Sequence, residues 1–181
     1  MRTHMGMWVA VCFVLFATVG LGPAYSDEDT DYALLQASAK GDLEQARRLL
    51  DKGSSPDCMC GPLSPLILAA HHGHAKVVGL LLARGAEIDK RGVNGPSALV
   101  QASARGQVEL VKLLLDQGAD FKLKAAFVWK EIKLTGDKCR DLDKVGAVQE
   151  LCVQDDCCMT ALCVAADEKI KDLLMKHGAK E

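Results

Sequence analysis

The chain lacks most of the signatures that would point to chemistry. Its 181 residues contain no phosphate-cradling Gly-rich loop, no G-x-S-x-G, no H-E-x-x-H and no cysteine in a recognised nucleophile context. The common nucleotide-binding, hydrolase and metalloprotease classes thus have no foothold in the sequence. Adjacent acids such as Asp155 and Asp156 do not provide the opposed acid and base of a glycosidase. Aromatic residues make up 4% of the chain, and no dense Lys/Arg stripe is interleaved with them. Nucleic acid is therefore not an expected partner. The longest apolar run, Met7 to Leu21, has 15 residues, against about 20 for a membrane span.

That run is informative in another way. Arg2 and His4 precede it, Gly20, Gly22 and Pro23 close it, and Ala24-Tyr25-Ser26 leads into the acidic Asp27-Glu28-Asp29. The order predicts a secretory signal peptide over residues 1–26, cleaved after Ser26, with an uncleaved anchor as the alternative. The mature chain, 27–181, would carry 21 basic and 24 acidic side chains, because only Arg2 is lost. No stable membrane insertion is expected after cleavage, and the location is periplasmic or secreted.

Glycine supplies the architecture. Gly41, Gly73 and Gly106 are spaced by 32 and 33 residues, and so are Gly53, Gly85 and Gly118. Between the two series lie apolar residues at helical period: Ala46, Leu49 and Leu50, then Val77, Val78 and Leu81, then Leu110, Val111, Leu114 and Leu115. A second set of short helices is predicted upstream, over Ala33–Ala39, Pro65–His71 and Ala98–Ala104. The glycines that close the later helices suit left-handed caps. Helix pairs this short cannot bury their apolar faces alone, so neighbouring pairs must stack into one elongated core.

Ser64-Pro65-Leu66-Ile67-Leu68-Ala69-Ala70-His71-His72-Gly73-His74, followed by Val77 through Ala86, resembles the ankyrin repeat closely. Ser97-Ala98-Leu99 and Val111 through Ala119 repeat the likeness. Where the family usually has Thr-Pro-Leu-His, this chain has Ser-Pro-Leu-Ile and Ser-Ala-Leu-Val, so apolar packing is expected in place of a local hydrogen-bond network. The resemblance implies an all-α solenoid of helix-turn-helix units joined by short β-hairpin-like loops, four to five units with one degenerate. Repeats are expected at about 31–57, 61–90 and 94–122, and a shortened terminal repeat at 155–181, where Thr160 through Ala166 and Leu173 through Ala179 return to the pattern. Residues 123–154 are either a degenerate repeat, with Cys139, Leu142 and Val145 facing inward, or an irregular insert.

Seven cysteines remain in the mature chain. Export implies an oxidising compartment, so Cys58, Cys60, Cys139, Cys152, Cys157 and Cys158 are disulfide candidates, with Cys163 expected to be a free, buried thiol. The favoured pairing ties the Cys139/Cys152 segment to itself or to Cys157-Cys158. A thiol-redox or metal-handling role for Cys58/Cys60 and Cys157/Cys158 is the alternative, although the spacing of a structural zinc site is missing. No cofactor or metal is expected.

The resemblance also implies a non-catalytic, monomeric module that binds another protein through a concave face. Carried over position by position, that face comprises Asp57, Met59, Leu63, His71, His72, Arg91, Val93, Asn94, Ala104, Arg105, Asp156 and Met159. With few aromatics among them, affinity would rest on Arg91, Arg105, the histidines and Met59. Delivery into a host cell, where such stacks also bind proteins, is a further possibility.

Overall fold

The structure, a computed structural model, describes residues 28–91, 95–131, 148–151 and 160–179. Six helices form three successive pairs: α1 (Glu28–Lys40) with α2 (Leu43–Asp51), α3 (Pro65–His72) with α4 (Ala75–Ala83), and α5 (Ala98–Ala104) with α6 (Val108–Asp116). Strands β1 (Phe127–Glu131) and β2 (Val148–Leu151) follow, and α7 (Glu168–Lys176) ends the series. The first helices form one row with α3 between α1 and α5. The second helices form the other, in the order α2, α4, α6, α7. Helix α1 begins five residues before the expected Ala33, while α5 spans the predicted range.

Local chemistry explains the boundaries. Ser64 and Ser97 stand in extended conformation before α3 and α5, and their hydroxyls accept from the N–H groups of Ile67 (3.2 Å) and Val100 (3.4 Å). Serine thus keeps a capping bond, while Ile67 and Val100 contribute the expected apolar packing inside the stack. Pro65 starts α3 where its missing N–H leaves no bond unmade. The core runs continuously from Leu34 and Leu35 through Leu66, Ile67 and Leu68 to Leu99, Leu110 and Leu114, all fully or almost fully buried. Burying each such side chain stabilises the stack by about 1.5–3 kcal/mol.

Neighbouring units are also joined by polar contacts. The His74 imidazole Nε2 donates to the Ala39 carbonyl at 3.0 Å, and the Gln107 amide donates to the His71 carbonyl at 3.2 Å. These side chains lie over the turn of the preceding unit. A Cβ on Gly41 would meet the His74 ring at 2.5 Å, and one on Gly73 would meet the Gln107 amide at 2.6 Å. Both glycines have positive φ, so the close approach and the backbone each demand glycine. On the loop side the Asp57 carboxylate accepts from Glu87 N–H (3.0 Å), and that of Asp89 accepts from Asp120 N–H (3.1 Å).

The last unit departs from expectation. Thr160 to Ala166 was predicted as a helix, yet Ala161–Val164 forms a single turn. Ala166 N–H donates to the Ser103 carbonyl at 3.0 Å, and Asp167, in extended conformation, caps α7 through Lys169 N–H. With the chain extended at that point, too few residues remain for a second helical turn. The terminal unit therefore stacks directly on the third. In the stretch between them β1 and β2 pair antiparallel, Phe127 opposite Leu151. The helix pair of a degenerate repeat does not occupy those residues; Cys139, Leu142 and Val145 lie outside the described ones. Strand β1 packs near α5, with Val128 buried.

Candidate partner-binding surface

Each first helix ends in an exposed, nitrogen-bearing side chain just before its turn glycine: Lys40 before Gly41, His72 before Gly73, Arg105 before Gly106. Lys40 and the imidazole of His72 sit in the last turn of their helices, where a positive charge complements the carbonyl end of the dipole. The His72 and His74 rings stack with centroids 6.0 Å apart, and the His71 ring meets that of His72 edge-on at 4.8 Å. Burial, followed by the nearby His74 and Arg105, lowers the pKa of His72.

The twelve predicted binding residues divide sharply. His72, Arg91 and Arg105 are exposed, and Met59 and Ala104 are half-buried. Arg91 also reaches across the loop row, its guanidinium donating to the Lys124 carbonyl. His71 is 2% exposed; its Nδ1 accepts from the Gln101 side-chain amide at 3.0 Å, which ties α3 to α5. Burial, then the charges of His72 and Arg105, pushes its pKa down to about 4. His71 is thus a neutral core residue near pH 7 and not a surface contact. Leu63 is likewise buried, held by paired backbone bonds with Cys60 in a tight turn. Asp57 serves the loop ladder through Glu87. Val93, Asn94, Asp156 and Met159 lie outside the described residues.

The cysteines require two corrections. Cys58, a disulfide candidate, is a free, buried thiol whose Sγ lies 3.7 Å from the Asp31 carbonyl. Burial and the nearby Asp31 push its pKa well up, so it stays protonated. Cys60 beside it is disulfide-bonded. Cys163 is free as expected but exposed, because the single turn that carries it presents it outward. Cys139, Cys152, Cys157 and Cys158 lie outside the described residues. Among the described residues no group of three or more His, Cys, Asp or Glu could hold a metal, and no helix is long and apolar enough to cross a membrane.

Sequence reasoning missed Lys40, His74 and Gln107. Their signal was position relative to the glycines: the residue before each turn glycine faces solvent, and the residue after Gly73 and after Gly106 reaches back to the preceding unit.

A stack of helix pairs with exposed ends on one helix row and loops bridged along one edge defines a repeat scaffold. The ankyrin-repeat family model matches residues 34–125 as three copies, so the chain belongs to the ankyrin-repeat family. It is similar to the mouse ankyrin repeat and SAM domain-containing protein 6, 49% identical over 63 residues that cover 34% of this chain and 7% of that protein. It is also similar to the E3 ubiquitin-protein ligase XBAT33 of Arabidopsis thaliana, 36% identical over 98 residues, 52% of this chain and 19% of the relative. An ankyrin repeat-containing protein of Treponema pallidum is 36% identical over 108 residues, 59% of this chain and 36% of its own length. The chain thus spans little more than a third of the length of these relatives at most. Ankyrin repeats are generally protein-interaction modules.

Proposed function

We propose that the chain is a non-catalytic module that binds a partner protein outside the cytosol, using the first-helix ends and the loop row of its stack. The observation that carries this reading is the exposure of His72 and Arg105 at the first-helix ends of successive units, whose turns are bonded to one another, with Arg91 exposed on the loop row. A rigid scaffold with displayed side chains binds without a large ordering cost. Ile67, Leu68, His71 and Gln101 hold that scaffold, and the exposed residues supply recognition.

Export rests on the signal-like residues 1–26, and cleavage after Ser26 would leave α1 whole because it begins at Glu28. The disulfide at Cys60 suits an oxidising compartment. We assign the partner of Cys60, and one further disulfide, to Cys139, Cys152, Cys157 and Cys158. The redox or metal alternative is weakened at its first pair, since Cys58 is buried and protonated while Cys60 has no free thiol. A protonated thiol is a poor nucleophile and a poor ligand.

The test is affinity capture from the native compartment by the tagged protein, with Arg91→Glu/Arg105→Glu as control and circular dichroism to verify the fold. Loss of a specific partner in the control supports the reading. A partner held equally by both proteins removes this face, and quantitative free thiols with bound metal would move the function to the cysteines.

A further inference from the structure

We infer that a cavity between the loop of the third unit and the terminal unit binds the C-terminal carboxylate and last apolar side chain of the partner protein. This rests on the proposed binding function and names the part of the partner that the cavity takes.

Three steps along the loop row share one device. The Asp31 carboxylate accepts from Ser55 N–H (3.3 Å), that of Asp57 from Glu87 N–H (3.0 Å), and that of Asp89 from Asp120 N–H (3.1 Å). Each donor stands two residues beyond a helix-closing glycine, Gly53, Gly85 or Gly118, and Asp57 and Asp89 stand four beyond theirs. Four residues beyond Gly118 stands Lys122 instead. An ammonium has no lone pair to accept with, so the register that carries a carboxylate at earlier steps carries a cation at the last. A cavity of about 440 Å³ opens beside it, lined by Phe121, Lys122, Thr160, Leu162, Gly178 and Ala179. Lys124 also borders the cavity, its carbonyl engaged by the Arg91 guanidinium.

The lining suits a chain end. Lys122 is exposed, and its Nζ lies 5.8 Å from the centroid of the Phe121 ring, which holds the ammonium beside the cavity. The acids of this loop are engaged by backbone: Asp120 accepts from Lys122 N–H at 2.8 Å, and Asp89 accepts from Asp120 N–H. The Thr160 hydroxyl oxygen accepts from Cys163 N–H at 3.4 Å, which leaves its own proton to donate. A carboxylate in the cavity would therefore meet an ammonium and a hydroxyl donor, and the first of these bonds is charge-assisted. Phe121, Leu162 and Ala179 pack half-buried against the core and offer apolar surface to the adjoining side chain. Ala179 N–H is already bonded to the Leu174 carbonyl at 3.0 Å, so it has no bond to give to a peptide running through, and peptide groups buried without partners are costly. A chain end brings one carboxylate and one side chain, and the volume falls in the range of about 300–1,000 Å³ that encloses small ligands.

The experiment measures anisotropy of a short Gly/Ser peptide ending in leucine, labelled with fluorescein at its N-terminus, with the full chain. The peptide is used as the free acid and as the C-terminal amide, and N-acetylleucine serves as a competing small acid. The expected result is that the acid binds, the amide binds about tenfold or more weakly, and N-acetylleucine competes poorly. Lys122→Gln should weaken the acid about tenfold, and Lys122→Asp, which restores the acid of the earlier steps, should abolish its binding. Lys122→Arg should stay within about threefold of wild type because the charge is kept. Lys112→Gln on α6 should bind as wild type, with circular dichroism verifying the fold of every variant. Equal binding of acid and amide, no binding, or equal losses in Lys112→Gln and Lys122→Gln would overturn the inference. N-acetylleucine competing as strongly as the peptide would assign the cavity to a free small acid and overturn it too. If a captured native partner depends on Arg105 but is indifferent to Lys122→Asp, the binding function stands and the chain-end inference fails.

Discussion

The middle of the stack and its end are built from similar residues and held very differently. Helix α3 has neighbours on both sides, seven of its eight residues are buried, and its ends are secured by the Ser64 cap and by Gln107. Among the described residues the terminal unit has a single neighbouring unit. Its first helix is reduced to one turn with Val164 and Ala165 half-buried, and among the described residues one backbone bond, Ala166 to Ser103, ties it to the third unit. In a repeat array stability comes from interfaces as much as from the units. Position in the stack therefore decides what a given side chain is worth.

Cavity variants test that contrast with the largest effects. Leu68 in α3 and Ile170 in α7 are both 0% exposed. Leu68→Ala should cost about 3–4 kcal/mol and lower the single urea midpoint of the whole stack. Ile170→Ala should cost about 2–3 kcal/mol, because the terminal unit can relax or fray alone, and should broaden the transition. Equal costs with unchanged cooperativity would break the comparison.

Turn glycines sharpen it. Gly41→Ala meets both a positive φ and the His74 ring, and should cost about 2–3 kcal/mol by thermal or urea unfolding. Gly106→Ala has the same sense of φ, but its nearest neighbour is Ala166 Cβ at 3.7 Å, so about 1 kcal/mol is expected.

A smaller, pH-dependent effect belongs to the α3–α5 interface. The His71 pKa is about 4 in the folded protein against 6.5 for an ordinary histidine. Between these values the unfolded chain binds more protons, so the contribution is fully present above pH 6.5 and is lost as pH falls toward 4. By pH 5.5 the loss is about 1 kcal/mol. His71→Gln should flatten the urea midpoint across that window. The smallest effect is expected at the exposed Arg84–Asp51 ion pair, 2.8 Å long between α2 and the end of α4. Asp51→Asn should cost no more than about 0.5 kcal/mol and less in high salt.

The same contrast separates what the sequence made legible from what it hid. The first three units were readable because glycines recurring every 32 or 33 residues mark turns that no other residue fits, and the apolar period between them has one structural meaning. The terminal first helix was misread because Thr160 to Ala166 has the right composition; the deciding constraint is the short connection that forces Asp167 into an extended cap. The pairing of β1 with β2 had no local signal, since its partners lie 24 residues apart at Phe127 and Leu151. At the binding surface, exposure of His72, Arg91 and Arg105 followed from register. The burial of His71 did not, because it depends on Gln101, 30 residues away. The bonds of Asp57 to Glu87 and of Leu63 to Cys60 were hidden for the same reason, their partners being backbone groups that composition does not reveal.

The most direct test of the account is affinity capture from the native compartment, comparing the tagged protein with its Arg91→Glu/Arg105→Glu variant. The account predicts a specific partner protein that the wild type retains and the variant, folded by circular dichroism, releases. A partner recovered equally with both proteins would contradict it.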